Sequence, residues 1–198
     1  VTVRDCEIHR NDMGMMSNGD VAKGTCRTLR VESCLLHHNG SELRAGYNHN
    51  LYLGGTSVLL RACEVFASTT GHNVKSRAHY NRVEYCHIHD SANRELDLVD
   101  AKGTTDAEGS HAVLLGNVIV KADPCKGNRA VIHFGQDGGN DHRGTIHLVH
   151  NTIVTPYLSP VLEVSAPGAG AALYNNIVWD AGSGQKGQVL AAVRNGAA

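Results

Sequence analysis

Gly71-His72-Asn73-Val74-Lys75-Ser76-Arg77-Ala78-His79-Tyr80-Asn81-Arg82-Val83-Glu84-Tyr85-Cys86-His87-Ile88-His89-Asp90 is the stretch whose reading decides the fold. Two short runs in it alternate polar and apolar residues, Asn73 to Arg77 and Arg82 to Ile88. Alternation by two marks a strand with one buried face and one wet face. The second run ends in Cys86-His87-Ile88, and that tripeptide has counterparts along the whole chain.

Cys6-Glu7-Ile8, Cys34-Leu35-Leu36, Cys63-Glu64-Val65 and Cys86-His87-Ile88 share one pattern, which Asn117-Val118-Ile119, Asn151-Thr152-Ile153 and Asn175-Asn176-Ile177 continue. The steps between first residues are 28, 29, 23, 31, 34 and 24 positions, as expected of a fixed core strand with loops of variable length at one corner. Each unit has an alternating lead-in, such as Thr28 to Glu32 or Thr145 to Val149. The runs are too short for amphipathic helices and are broken by Gly, Asn and Asp. No Leu-x-x-Leu-x-Leu frame is present, and the units are too short for four-stranded propeller blades. The pattern predicts an all-β chain forming a single-stranded right-handed parallel β-helix, a solenoid of about seven coils, over 1–198 as one domain. The Cys and Asn residues then form an internal ladder of reduced packing residues, with Cys26 and Cys125 off it. An open end of such a stack is an exposed sheet edge, so a capping segment or subunit is expected there.

Composition narrows the function classes. The 198 residues carry a net charge of −1, so no global basic field draws in nucleic acid. No apolar run approaches the ~20 residues that span a bilayer. The chain opens on Val1-Thr2-Val3 with no signal peptide and reads as part of a longer product. The cysteines show no Cys-x-x-Cys metal pair.

A second strand recurs in each unit, through Leu51-Tyr52-Leu53, Val74-Lys75-Ser76, Leu96-Asp97-Leu98, Ile132-His133-Phe134 and Leu162-Glu163-Val164. With the apolar residues inward, Tyr52, Lys75, Asp97, His133 and Glu163 stack on one solvent face. Asn50, Asn73, Glu95 and Arg77 flank that row, with His49 and His72 just before the strands. A slip of one residue in the Ile132 to Phe134 register would turn His133 inward.

The coil pattern resembles the pectate-lyase-like superfamily of right-handed parallel β-helices over nearly the whole chain. Val74-Lys75-Ser76-Arg77-Ala78, followed by Asn81 and Arg82, is similar to the Lys-Ser segment of the chondroitinase B and alginate lyase group. The resemblance implies that Lys75 is a catalytic base, and that the protein is secreted, periplasmic or at the cell surface. The group's arginine on the next coil is not matched, since Glu95-Leu96-Asp97-Leu98-Val99 stands there, and its calcium-binding acids are not matched by motif.

Lyase cleavage of a uronic acid chain needs a base beside the carboxylate, positive charge to neutralise that carboxylate, and a donor to the leaving oxygen. Lys75 serves as the base if Arg77 lowers its pKa, whereas Asp97 would hold it protonated. Arg77, or a Ca²⁺ held by Asn73, Glu95 and Asp97, would neutralise the carboxylate. Tyr52 or His133 would protonate the leaving group, while Asn50, His49, His72, Asn73, Asp97 and Glu163 would bind an acidic polysaccharide. Lys75→Ala is expected to leave the melting temperature nearly unchanged. Two alternatives stay open: an inverting hydrolase using Asp97 and Glu163, and a non-catalytic glycan-binding adhesin or tail-spike shaft. His37-His38 and His87-x-His89 read as surface histidines without a third ligand nearby.

Overall fold

The computed structural model describes residues 1–18, 27–123, 125–156, 160–182 and 189–197. Cys26 lies outside them. The described chain is almost entirely strand and turn, with one 3₁₀ turn at Glu42–Arg44, and the strands assemble into three parallel sheets of seven. The first sheet holds Thr2–Arg4, Thr28–Glu32, Ser57–Arg61, Tyr80–Glu84, Ala112–Leu115, Gly144–Val149 and Ala169–Tyr174. The second holds Glu7–His9, Leu35–His37, Glu64–Phe66, His87–His89, Val118–Val120, Thr152–Thr155 and Ile177–Asp180. The third holds Met15–Met16, Leu51–Leu53, Val74–Ser76, Leu96–Val99, Ile132–Gly135, Leu162–Ser165 and Ala191–Arg194. The chain visits the three sheets in turn, so each strand pairs with its equivalents one unit earlier and one unit later. Inward residues of all three sheets, among them Val31, Leu36, Leu60, Ile88, Leu96 and Phe134, form one buried cluster. No helix among the described residues is long and apolar enough to cross a membrane.

The corner between the first and second sheets is built the same way in every unit. Asp5, Ser33, Ala62, Tyr85, Gly116, His150 and Asn175 all take left-handed backbone, with φ between 51° and 65°. The run from Arg82 to Ile88 is therefore two strands bent at Tyr85, where alternation alone predicted one. The next residue in each unit is the ladder residue. Cys34 N–H donates to Cys63 Sγ at 3.4 Å, and Cys86 N–H to Asn117 Oδ1 at 2.9 Å. Asn117 N–H donates to Asn151 Oδ1 at 3.0 Å, and Asn151 N–H to Asn176 Oδ1 at 2.9 Å. Sulfur and amide oxygen thus fill the same acceptor role, and Cys6, Cys34, Cys63, Cys86 and Cys125 are all free thiols. In the last unit the ladder residue is Asn176, where the repeat predicted Asn175. Asn175 takes the left-handed corner instead, a conformation that Asn tolerates better than most residues.

A second polar ladder lines the corner between the second and third sheets. Asn39 Nδ2 donates to Asn50 Oδ1 at 2.8 Å, Asn50 Nδ2 to Asn73 Oδ1 at 2.8 Å, and Asn73 Nδ2 to Glu95 Oε2 at 2.6 Å. Lys121 Nζ lies 3.7 Å from Glu95 Oε1. Burial pushes the Glu95 carboxyl up to about 7, with Lys121 only partly opposing.

Candidate functional site

In the third sheet the pairing is Tyr52 with Lys75, Lys75 with Asp97, Asp97 with His133 and His133 with Glu163, so the expected row is present and in register. It is not a solvated face, however. Lys75, Asp97 and His133 are buried, beneath Arg94 and the insert that follows Gly135. Four N–H groups fold that insert around the carboxylate of Asp100: those of Asp137, Gly138 and Asn140, and Asn140 Nδ2, at 2.5 to 2.9 Å. These donors outweigh the burial of Asp100 and hold its carboxyl below its ordinary range. The anchoring brings Asp137 over the row, where its Oδ2 accepts from Lys75 Nζ at 2.8 Å and Arg77 Nη2 at 2.7 Å.

Asp97 is the electrostatic centre. Its Oδ2 lies 2.9 Å from Lys75 Nζ and 3.3 Å from His72 Nε2, and its Oδ1 lies 3.1 Å from Arg94 Nη1 and 2.8 Å from His133 Nδ1. Burial alone would raise the Asp97 carboxyl, but His72, His133 and Lys75 hold it well below the carboxylate range. Burial likewise would lower Lys75, yet Asp97 and Asp137 override it and leave the ammonium stabilised. Of the two opposing effects expected on Lys75, the one from Asp97 prevails over the one from Arg77. Arg77 shares Asp137 with Lys75, but it does not outweigh two carboxylates in direct contact with the ammonium.

A cleft of about 360 Å³ opens beside this network, lined by Tyr47, His49, Tyr52, His72, Lys75, Arg77, Arg94 and Asp137 among others. Arg77 Nε–H donates to Tyr52 Oη at 2.8 Å, fixing the phenol at the cleft wall. The two histidines form a short ladder of their own: His49 Nδ1 accepts His72 N–H at 2.9 Å, and His72 Nδ1 accepts Arg94 N–H at 3.1 Å. Burial, with the neighbouring cations, pushes His49 down to about 3 and His72 to about 4, so both are neutral at pH 7. A hollow of about 380 Å³ near Glu108, His111 and Gly168 is slightly larger. Its one cation, Arg143, is already engaged by Asp141 at 2.9 Å and Glu108 at 3.4 Å.

Several expected members fall elsewhere. Asn50, Asn73 and Glu95 belong to the inner corner ladder, so they do not line a substrate face. Glu95 meets Asn73, Ser91 and Lys121, whereas Asp97 meets cations and imidazoles. Asn73, Glu95 and Asp97 thus present no common set of free oxygens, and the expected Ca²⁺ ligands do not fit that ion. Glu163 is bridged to Asp97 by Arg94, whose Nη2 lies 3.1 Å from Glu163 Oε2, and Arg194 Nε is 3.1 Å from Glu163 Oε1. Arg94 fills the space where an inverting hydrolase would hold its water.

His133 has a partner that the sequence did not suggest. Its Nδ1 meets Asp97 Oδ1 at 2.8 Å and its Nε2 meets Ser165 Oγ at 2.6 Å. The order resembles a nucleophile, base and orienting acid. Ser165 is buried, however, and its Oγ also accepts Gln136 N–H at 3.0 Å, so no substrate carbonyl reaches it in this arrangement. Arg94 and Asp137 were missed as well, because both lie outside the alternating strands. The only signal for Asp137 was the length of its insert, and for Arg94 its place next to Glu95.

No family model matches the chain, and no curated protein or solved structure matches it.

Proposed function

We propose that the three sheets are the faces of a right-handed parallel β-helix of the pectate-lyase-like kind, exported from the cell, that takes an acidic polysaccharide at the Tyr52–Lys75–Arg77 cleft and cleaves it by β-elimination. One observation carries the reading. Lys75 Nζ and Arg77 Nη2 converge on a single carboxylate oxygen, that of Asp137, at the mouth of a cleft walled by tyrosines and histidines. Two cations on one oxygen form charge-assisted hydrogen bonds that suit the carboxylate of a uronate. In this reading the substrate's carboxylate displaces Asp137 and is neutralised by Lys75 and Arg77, which makes the adjacent carbon acidic. Tyr52 Oη, held by Arg77, exchanges protons: it receives the one beside the carboxylate and delivers its own to the departing glycosidic oxygen. The C–O bond breaks as the ring double bond forms.

The test is an ultraviolet screen for unsaturated uronate on alginate, pectate and glycosaminoglycans, with and without added Ca²⁺. Tyr52→Phe removes the proton carrier while losing only one hydrogen bond from a partly exposed side chain. The expected result is product from wild type and none from Tyr52→Phe at an unchanged melting temperature. A glycan bound without ultraviolet gain selects a second reading, non-catalytic glycan recognition. That reading uses the same charged Lys75, kept so by Asp97 and Asp137, for pairing with a carboxylate and needs no proton carrier. Absence of both binding and turnover on all glycans would remove both.

A further inference from the structure

The outer face of the second sheet carries a group that the cleft does not use. His87 and His89 point the same way from one strand, and the register sets Glu64 of the preceding unit beside His87. Glu64 Oε1 lies 3.1 Å from His89 Nε2 and 3.5 Å from His87 Nδ1. The three ligand atoms all lie within 4.8 Å of one another. Sequence spacing offered two histidines without a third ligand. The neighbouring strand supplies it.

Proton bookkeeping points to a cation here. His89 Nδ1 faces Asp90 Oδ2 at 2.8 Å, while its Nε2 faces Glu64 Oε1. Both carboxylates are acceptors only, and a neutral imidazole has a single N–H to offer. If Nδ1–H donates to Asp90, a bare Nε2 lone pair confronts a carboxylate oxygen at 3.1 Å. That lone pair and the Glu64 oxygen are both placed to ligate one cation. His87 Nδ1 converges on the same oxygen, so two imidazole nitrogens and one carboxylate oxygen face a single point. The 3.1 and 3.5 Å separations match the ~3.3 Å edge of a tetrahedron with bonds of ~2.0–2.1 Å. Asp90 stands where an outer carboxylate fixes the tautomer of a ligating histidine.

We infer that Glu64 Oε1, His87 Nδ1 and His89 Nε2 form a binding site for a divalent transition metal such as Zn²⁺. Two nitrogens and one oxygen suit Zn²⁺, Ni²⁺ or Cu²⁺ and not the all-oxygen preference of Ca²⁺. The next strand places Val118 and Val120 beside the histidines, so no donor comes from that side and the remaining position opens to water. The side chains of Glu64 and His87 are each 45% exposed, leaving the ion a direct path from solvent. A bound ion would clip the third unit to the fourth, the same two units that carry Lys75 and Asp97.

The test is titration of the protein with Zn²⁺ against a chromogenic chelator, together with Co²⁺ visible spectra as a readout of coordination. Wild type should bind one Zn²⁺ at this site and give a Co²⁺ spectrum with nitrogen ligation. The His87→Ala and His89→Ala variants should each weaken binding by at least tenfold and lose that spectrum. Asp90→Asn should weaken it by roughly 10- to 100-fold, as an outer-shell partner does. His37→Ala, on the same face but outside the group, should bind as wild type. All of these side chains lie on the outer face, and melting curves without metal confirm that each variant is folded. Undiminished binding by the His87→Ala/His89→Ala double variant would overturn the site. So would a wild type that takes no Zn²⁺ at millimolar concentration, since a proton would then account for the geometry.

Discussion

Asp97 holds four partners in a site that excludes water, so the removal of any one is felt by the others. Lys75→Ala deletes a buried cation from between Asp97 and Asp137, and the expected cost is about 1–3 kcal/mol. The melting temperature should fall by roughly 3–10 °C in a chain of this size. That outcome differs from the unchanged melting temperature expected of an exposed lysine, and a calorimetric scan separates the two. Asp137→Asn should act oppositely on ligands. It releases Lys75 and Arg77, so an acidic oligosaccharide should bind about fivefold more tightly by titration calorimetry. Equal or weaker binding would remove Asp137 as an occupant of the carboxylate position.

The buried imidazoles set the acid limit. His49, His72 and His142 sit at about 3, 4 and 4 through burial, against an ordinary value of 6.5. Between about pH 4 and 6.5 the unfolded chain binds protons that the folded one refuses, so stability climbs with pH and is fully present above about 6.5. Glu95 works against this from 4.5 to about 7, but as one group against three. The net slope near pH 5.5 is about 2–3 kcal/mol per pH unit. Lowering the pH from 6.5 to 5.5 should therefore depress the melting temperature, and a flat profile would contradict these burial assignments. At this scale the sequence was half legible. Alternation revealed which residues share a face, and the Tyr52, Lys75, Asp97, His133, Glu163 row is in register. It did not reveal that Arg94 and Asp137 close over the row, because those contacts arise from loops whose paths have no period.

At the scale of the elements, the corner ladders explain why Cys and Asn recur. Asn151 receives N–H donors from Asn117 and donates to Leu114 O at 2.9 Å and to Asn176 Oδ1 at 3.0 Å. Asn151→Ala leaves these groups buried and unpaired, at an expected cost of about 2–4 kcal/mol in chemical denaturation. A cost under 1 kcal/mol would mean that water replaces the side chain. The ladder was readable from sequence because its residue types are few and always precede an apolar strand position. The one-residue slip at Asn175 has a physical origin. Two adjacent asparagines each suit both the left-handed corner and the ladder, and only the three-dimensional pairing decides between them. The polar row Asn50, Asn73 and Glu95 was legible as a row but was assigned outward. Residues just before a strand lie in the turn, where alternation no longer determines direction.

Across the whole molecule, every unit leans on two neighbours except the first and the last. Val74–Ser76, Leu96–Val99 and Ile132–Gly135 are buried throughout, whereas Thr2–Arg4, Glu7–His9 and Ile177–Asp180 are largely exposed. Hydrogen exchange should show protection falling from these middle strands toward both ends, as in other one-dimensional stacks. Uniform protection would indicate that the terminal strands are covered by another surface in solution. Ile177 and Trp179, 63% and 64% exposed, are where such a cover would be found. Because every unit brings its own left-handed corner and its own three strands to pair with the unit before, the molecule is in effect a ruler graduated at ~4.8 Å. A further unit joined at the end remote from the cleft would add one graduation and disturb no other. Length can change in this way without rewriting the row of side chains held in the middle units.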